Sequence, residues 1–362
     1  MVLIGYNNGY PMKVAALVIT PELLRLIADL EEFKGSWRSL TTLAPEKLAT
    51  LKRVATIESI GSSTRIEGAK LSDEEVESLL NKLDRTSFVS RDEQEVAGYS
   101  EIMTAIFDSY QEISISENYI KQLHAILLRH STKDERHRGE YKKLSNSVEA
   151  FDVDGKSIGT IFETATPFDT PMRMQELVSW TREALSDDAL HPLIVIGLFV
   201  VVFLEIHPFQ DGNGRLSRVL TTLLLLKAGY SYVPYSSLES IVEKNKEDYY
   251  LALRRTQGTL KKEEPNFDPW LRFFLRALKH QKDALQKKIE IEPGTDGLHP
   301  DSVKIIEYLK ITRRITTGEA EKLTQVPRPT VKSRLADLVK RGIIVRNGKG
   351  RGAWYGFPKP RE

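Results

Sequence analysis

Within the twelve residues His207-Pro208-Phe209-Gln210-Asp211-Gly212-Asn213-Gly214-Arg215-Leu216-Ser217-Arg218 stand one imidazole, one carboxylate, two glycines about an asparagine, and two arginines three residues apart. An imidazole serves as a base near neutral pH. A carboxylate next to phosphate oxygens suits Mg²⁺. Glycines at 212 and 214 allow a tight turn and a close approach of backbone to ligand. A helix beginning near Asn213 aims unpaired N–H groups at that turn, a ready anion site. Arg215 and Arg218, at i and i+3, are expected on one side of the first turn, with guanidinium forks suited to phosphate. Base, metal carboxylate, anion hole and two arginines point to a nucleotide-using transferase.

Two apolar runs must hold this stretch in place. Leu193 to Ile206 precedes it and Val219 to Leu226 follows it. The periodicity predicts helices over 192–206 and 213–228. Further helices are predicted from Thr20-Pro21-Glu22 and from Pro45, and from the capping box Ser72-Asp73-Glu74-Glu75. Others are predicted over 91–110, 116–130, 171–187, 241–258 and 267–289, so the body is mainly α. Between Tyr141 and Pro167 the pattern changes: Val148, Phe151 and Val153 lead to the turn signal Asp154-Gly155, and Ile158 to Thr166 returns with β-branched and aromatic residues, as in a hairpin.

The twelve-residue stretch fits the pattern HxFx(D/E)GNGRxxR at all eight specified positions, and so resembles the signature of the Fic family. The alternative, a glycine-rich loop between core helices, has no use for two arginines at helical spacing. Ser63-Thr64-Arg65-Ile66-Glu67-Gly68 resembles that family's inhibitory motif, (S/T)xxxE(G/N), in its N-terminal form. On a helix Ser63 and Glu67 share a face and Gly68 can end it. The resemblance spans residues 45 to 280.

It implies a Fic-type helical bundle and a protein adenylyltransferase that moves AMP from ATP, with Mg²⁺, to a Ser, Thr or Tyr hydroxyl of a protein target or of the chain itself. His207 would be the base and Asp211 the metal carboxylate. Gly212, Asn213, Gly214, Arg215, Leu216, Ser217 and Arg218 would form the ATP phosphate site, with the β and γ phosphates on Arg215 and Arg218. Glu67, with Ser63, would be inhibitory by pairing with Arg218, since carboxylate and phosphate compete for one fork. Tyr249, Tyr250 and Gln257 would line the adenine pocket, with Gln where the family often has Asn. The hairpin, including Phe162, Glu163, Thr164 and Ala165, would be the flap that holds the target by strand addition. Two alternatives stay open: removal of AMP from a modified protein, with Glu67 positioning a water, and a DNA-binding regulator whose Fic body senses nucleotide.

Composition limits the rest. Apolar residues at 41% and charged residues at 28% are those of an ordinary soluble globular protein. No apolar run reaches the eighteen residues of a membrane span. No signal peptide is evident, and the chain has no cysteine, which excludes disulfides and thiolate metal sites. A cytoplasmic location is the expectation, and a homodimer is left open. The seven histidines show no metal-ligand spacing; His124, His130, His137, His191, His280 and His299 read as surface or capping residues.

The net charge of +2 hides an asymmetry. Residues 297–362 hold 15 basic and 6 acidic side chains, whereas the other 296 residues hold 37 and 44. The tail, set off by the linker 290–297, is predicted as three helices and two strands around a basic turn, Lys349 to Arg351, which resembles a winged helix-turn-helix. Lys332 and Arg334 sit on the would-be recognition helix, suited to DNA; such modules also serve as protein-interaction domains. The expected domains are an N-terminal helical region (1–110), a catalytic core (111–260), a connecting helix (261–292) and the winged helix (297–362).

Overall fold

The computed structural model describes residues 17–39, 45–81, 88, 90–151, 157–187, 189–289, 298–348 and 350–358. Two compact units emerge, one drawn from residues 1–40 and 55–282, the other from 41–54 and 283–362. The linker 290–297, the hairpin tip at Asp154-Gly155 and Lys349 lie outside the described residues.

The first unit is helical. Helix α1 (Pro21–Ser39) starts at a proline, whose missing N–H costs nothing in the first turn. Helix α2 (Pro45–Ile66), whose residues from Ala55 on belong to this unit, ends just before Glu67. Helices α3 (Asp73–Leu80) and α4 (Arg91–Ser109) each begin at a serine whose capping box is complete. Helix α5 (Glu117–Leu127) follows. Strands β1 (Ser147–Phe151) and β2 (Ser157–Glu163) pair antiparallel, with register shifts at Val148/Glu149 and Ala150/Phe151. Then come α6 (Thr170–Ser186), α7 (Pro192–Ile206) and α8 (Asn213–Lys227).

Helix α7 is the axis of this unit. Every residue from Leu193 to Ile206 is buried, as expected of a helix apolar all round. Its one carboxylate, Glu205, is paired with Arg173 of α6, so no lone charge is buried. α7 packs against α6 and α8.

Beyond α8 the chain departs from the expected single helix over 241–258. It forms α9 (Leu238–Lys244) and α10 (Lys246–Gln257). Asn245 separates them at φ −121°, ψ 36°, and its side-chain amide donates to Ile241 O at 2.7 Å. The asparagine satisfies the end of α9 locally, which competes with helix continuation. Helix α11 (Asp268–Ile289) completes the series. Its Trp270 Nε1–H donates to Gly197 O of α7 at 2.6 Å.

The second unit contains α12 (Pro300–Thr312), β3 (Ile315–Thr316), α13 (Thr317–Thr324), α14 (Arg328–Lys340), β4 (Val345–Asn347) and β5 (Trp354–Gly356). The cap of α13 is Thr316. One expectation shifts here. The sheet has three strands in the order β3-β5-β4 rather than two. Ile305, Leu309, Val331, Leu335, Leu338 and Ile344 form its core.

Candidate active site

The motif loop is shaped by its own side chains. His207 ends α7 in the left-handed region, at φ 54°, a conformation uncommon for a residue with a Cβ. Gly212, at φ +79°, starts α8. Between them Asn213 closes a reciprocal pair. Its Nδ2 donates to Phe209 O at 2.7 Å, and Phe209 N donates to its Oδ1 at 2.9 Å. The Phe209 ring is fully buried and lies flat on His124, centroids 3.8 Å apart.

His124 is therefore not the surface or capping residue expected. It is completely buried on α5. Gly139 N–H donates to its Nδ1 at 2.8 Å, so the ring carries its proton on Nε2 and donates to Asp211 O at 3.0 Å. Burial pushes its pKa down to about 4, which keeps this clamp neutral. The signal was present: Ile120, Leu123 and Leu127, with His124 among them, make the buried face of α5.

A second clamp comes from Lys142, also missed. Its ammonium is buried and donates to Asn146 Oδ1 and Thr164 Oγ1, both at 2.8 Å, and to Ile206 O at 3.0 Å. Lys142 N–H reaches Pro208 O at 2.9 Å and Asn146 Nδ2 reaches Phe209 O at 2.9 Å. The base of the hairpin is thus tied to the motif loop through Thr164, while Ala165 is buried beside it. The side chains of Phe162 and Glu163 lie outside the described residues. Burial pushes the Lys142 pKa down to about 8.

His207 is half-buried, and its Nδ1 lies 3.3 Å from Leu204 O. A proton on Nδ1 satisfies that carbonyl and leaves the Nε2 lone pair as an acceptor. Burial pushes its pKa down to about 4, so the base form dominates well below neutrality.

The two arginines do not share partners, contrary to the expectation that both face one ligand. Arg215 is 2% exposed and bridges two carboxylates, with Nη1 3.2 Å from Glu95 Oε2 and Nη2 3.2 Å from Asp211 Oδ1. Arg218 turns to the end of α2. Its Nε donates to Ser63 Oγ at 2.8 Å, and its Nη2 to Ser63 O at 3.0 Å and Glu67 Oε1 at 2.7 Å. A Cβ at Gly214 would collide with that same Oε1. The Glu67 carboxylate therefore lies over the first turn of α8, where an anion is favoured. Arg218 holds its pKa below the ordinary glutamate value against the cost of burial. The Glu67 side chain remains 31% exposed, against 7% for Arg218.

Leu216 is core, and Ser217 Oγ turns back to Gly214 O at 2.7 Å. Tyr249 is buried in a cavity lined also by Ser217, Arg218, Trp270 and Phe273. Tyr250, half-buried, meets its ring edge-on at 5.1 Å. Gln257 is set apart from that cavity: it is buried against α7, where its Nε2 reaches Val201 O at 3.3 Å.

Asp211 is the one carboxylate of the loop. Its Oδ1 accepts from Gly212 N at 2.6 Å and from Arg215. Its Oδ2 has Arg91 Nη2 at 3.5 Å. Arg215 and Gly212 N–H hold its pKa low against burial, so it is ionised. Among the described residues no group of three His, Cys, Asp or Glu side chains could enclose a metal ion. An ionised carboxylate with one loosely held oxygen fits Mg²⁺, which takes most of its ligands from phosphate and water.

The chain is similar to known proteins in sequence and in fold. Residues 114–225 match the Fic/DOC family. A protein adenylyltransferase Fic of Drosophila sechellia is 27% identical over 294 residues, covering 80% of this chain and 52% of that one. The chain thus spans about half the length of the curated relatives it first matches. In fold it is similar to a Fic family protein from Desulfovibrio desulfuricans G20, at 22% identity and a TM-score of 0.61, covering 96% and 99% of the two chains. It is also similar to a Fic domain containing signalling protein from Bacteroides thetaiotaomicron VPI-5482, at 24% identity and a TM-score of 0.57, covering 74% and 100%. The eight-position motif lies inside the segment that matches the Fic/DOC family.

Proposed function

We propose that the chain is a protein adenylyltransferase, transferring AMP from ATP to a protein hydroxyl, and that Glu67 inhibits it. The observation that carries this is the position of the Glu67 carboxylate, on the Arg218 fork and over the N-terminus of α8 beside Gly214. An anion already sits where a phosphate would bind, next to a neutral His207. The Drosophila relatives, named as adenylyltransferases, support the choice of AMP as the group transferred.

In this mechanism the target hydroxyl oxygen attacks the α-phosphorus, the bond to the β-phosphate bridging oxygen breaks, and pyrophosphate leaves. His207 Nε2 takes the hydroxyl proton. N–H groups of the first turn of α8 stabilise the charge that develops on the phosphorus oxygens. Arg218 takes the γ-phosphate once Glu67 withdraws. Arg215, committed to Asp211 and Glu95, orients the carboxylate rather than the phosphates. Mg²⁺ held at Asp211 would neutralise triphosphate charge. The hairpin β1–β2, tied to the loop through Lys142, would act as the flap that presents the target strand. Tyr250 would face the adenine; the buried position of Gln257 speaks against a contact there.

The second unit supports a winged-helix reading. Its order of helix, strand, two helices and two strands, with the first strand paired to the last, is that of a winged helix. The exposed Lys332 on α14, with the basic surplus of the tail, favours duplex DNA as its partner. The test of the whole reading is incubation with α-labelled and γ-labelled ATP and lysate. Transfer of the α label alone supports AMP transfer; transfer of the γ label, or of neither by both wild type and Glu67→Gly, refutes it.

A further inference from the structure

Asp211, Arg215, Glu95 and Arg91 form a closed ring of alternating charge. Glu95, on α4, is buried, and its oxygens go to different arginines. Oε1 accepts from Arg91 Nε at 2.8 Å, and Oε2 lies 3.2 Å from Arg215 Nη1. Arg215 passes on to Asp211 Oδ1 at 3.2 Å, and Arg91 closes the ring at 3.5 Å from Asp211 Oδ2. Burial differs around the ring: the side chains of Arg215 and Glu95 are 2% and 8% exposed, that of Arg91 58%. Only Arg91 can leave at little cost.

We infer that Glu95 is a positioning residue for the metal carboxylate, holding Arg215 to one oxygen of Asp211 so that the other stays available to Mg²⁺·ATP. This rests on the proposed nucleotide reading of the site. Arg215 is a buried cation between two carboxylates. Take away Glu95, and among the described residues Asp211 is the one carboxylate left in an ion pair with it. The fork would then engage both Asp211 oxygens, since a bidentate guanidinium–carboxylate pair is the strongest arrangement left to it. That would consume the oxygen a metal needs. Glu95 touches neither nucleotide nor metal; it acts by sharing the arginine.

The test uses the full chain in a Glu67→Gly background, so that ATP binding is unobstructed. ATP affinity is measured by calorimetry with Mg²⁺ and with EDTA, and the ratio gives the gain due to metal. Glu95→Gln is expected to cut that gain about tenfold or more, as loss of a ligand-orienting partner does, with affinity in EDTA within about twofold. Neutralising the arginine as well, in Glu95→Gln/Arg215→Gln, removes the competitor and should restore most of the gain. A purely structural role for Glu95 would not give that rescue. If Glu95→Gln fails to fold, the double variant, which buries no unpaired charge, still decides. A metal gain in Glu95→Gln equal to that of the parent, or no recovery in the double variant, overturns the inference. Absence of any metal gain in the parent itself overturns the nucleotide reading, and this inference with it.

Discussion

Replacing Glu67 by Gly should tighten ATP binding and switch on AMP transfer. The carboxylate holds Arg218 through one charge-assisted hydrogen bond of 2.7 Å. Such bonds contribute about 1.5–3 kcal/mol. The Glu67 side chain is 31% exposed, so solvent screens it and the lower half of that range applies, about 1.5–2 kcal/mol. At about 1.4 kcal/mol per tenfold, the fork is free in roughly one molecule in ten to thirty. Apparent affinity scales with that fraction, so Glu67→Gly should bind ATP about 10–30-fold more tightly. Residue 67 lies just beyond α2, and Gly68 already turns the chain at φ +104°, so a glycine there removes no helical residue. Calorimetry gives the affinity, and label transferred from α-labelled ATP per enzyme gives the activity. In Glu67→Gly/Arg218→Ala the gain should vanish, because the residue that Glu67 blocks is gone. ATP affinity within twofold of wild type, in a folded Glu67→Gly protein, would refute the reasoning.

His207→Ala in that background should lose AMP transfer by roughly 10²–10⁴-fold, the usual cost of a general base, while ATP affinity and melting temperature stay near the parent; unchanged labelling would exclude His207 as the base. Because His207 is held neutral down to about pH 4, free-enzyme AMP transfer should show no inflection near pH 6.5, whereas an ordinary histidine base would produce one. His124 is buried with its pKa lowered to about 4 from an unfolded value of 6.5. The unfolded chain therefore binds the extra proton, and the stability from neutral His124 is present above pH 6.5 and falls away towards pH 4. Between pH 7 and pH 5 this group should cost about 2 kcal/mol, measured as a flatter stability–pH slope in denaturant titrations of His124→Gln. Lys332→Ala should weaken duplex DNA binding by the full chain and lower its salt dependence by about one counter-ion; binding that is absent even at low salt would assign the basic unit to a protein partner instead.

Much of the site was legible because it is local. The loop from His207 to Arg218 carries its own turn glycine and its own side-chain lock at Asn213. The apolar runs on either side could only be buried helices, and α7 falls on its expected bounds, 192–206. What was not legible depends on partners distant in sequence. The i, i+3 spacing of Arg215 and Arg218 brings both near one face, but Glu95 on α4 draws the first to one side and Ser63 and Glu67 draw the second to the other. Strand β3 is two residues whose pairing exists only when Ile315 meets Tyr355. The break at Asn245 leaves no mark in the sequence because Glu243-Lys244-Asn245-Lys246 contains no proline or glycine, and the amide that ends α9 acts through a hydrogen bond that periodicity does not reveal. His124 departs from expectation for the opposite reason: its type suggests a surface, whereas its position on the Ile120–Leu127 stripe places it in the core.

On the proposed reading, the contrast between the two arginines would make one site both rigid and switchable. Each guanidinium is almost fully buried, and each is neutralised by a carboxylate from another helix or its end. The carboxylates differ in exposure. Glu95 is 8% exposed, and leaving would strand a buried charge on Arg215. Glu67 is 31% exposed at the end of α2, and can swing into water while a phosphate takes its place on Arg218. Exchange at Arg218 trades one anion for another and keeps the buried cation paired throughout. The same exchange at Arg215 would require breaking a ring that also fixes Asp211. A ligand phosphate should therefore displace Glu67 and leave Glu95 where it is, so that the nucleotide meets a carboxylate already oriented for metal.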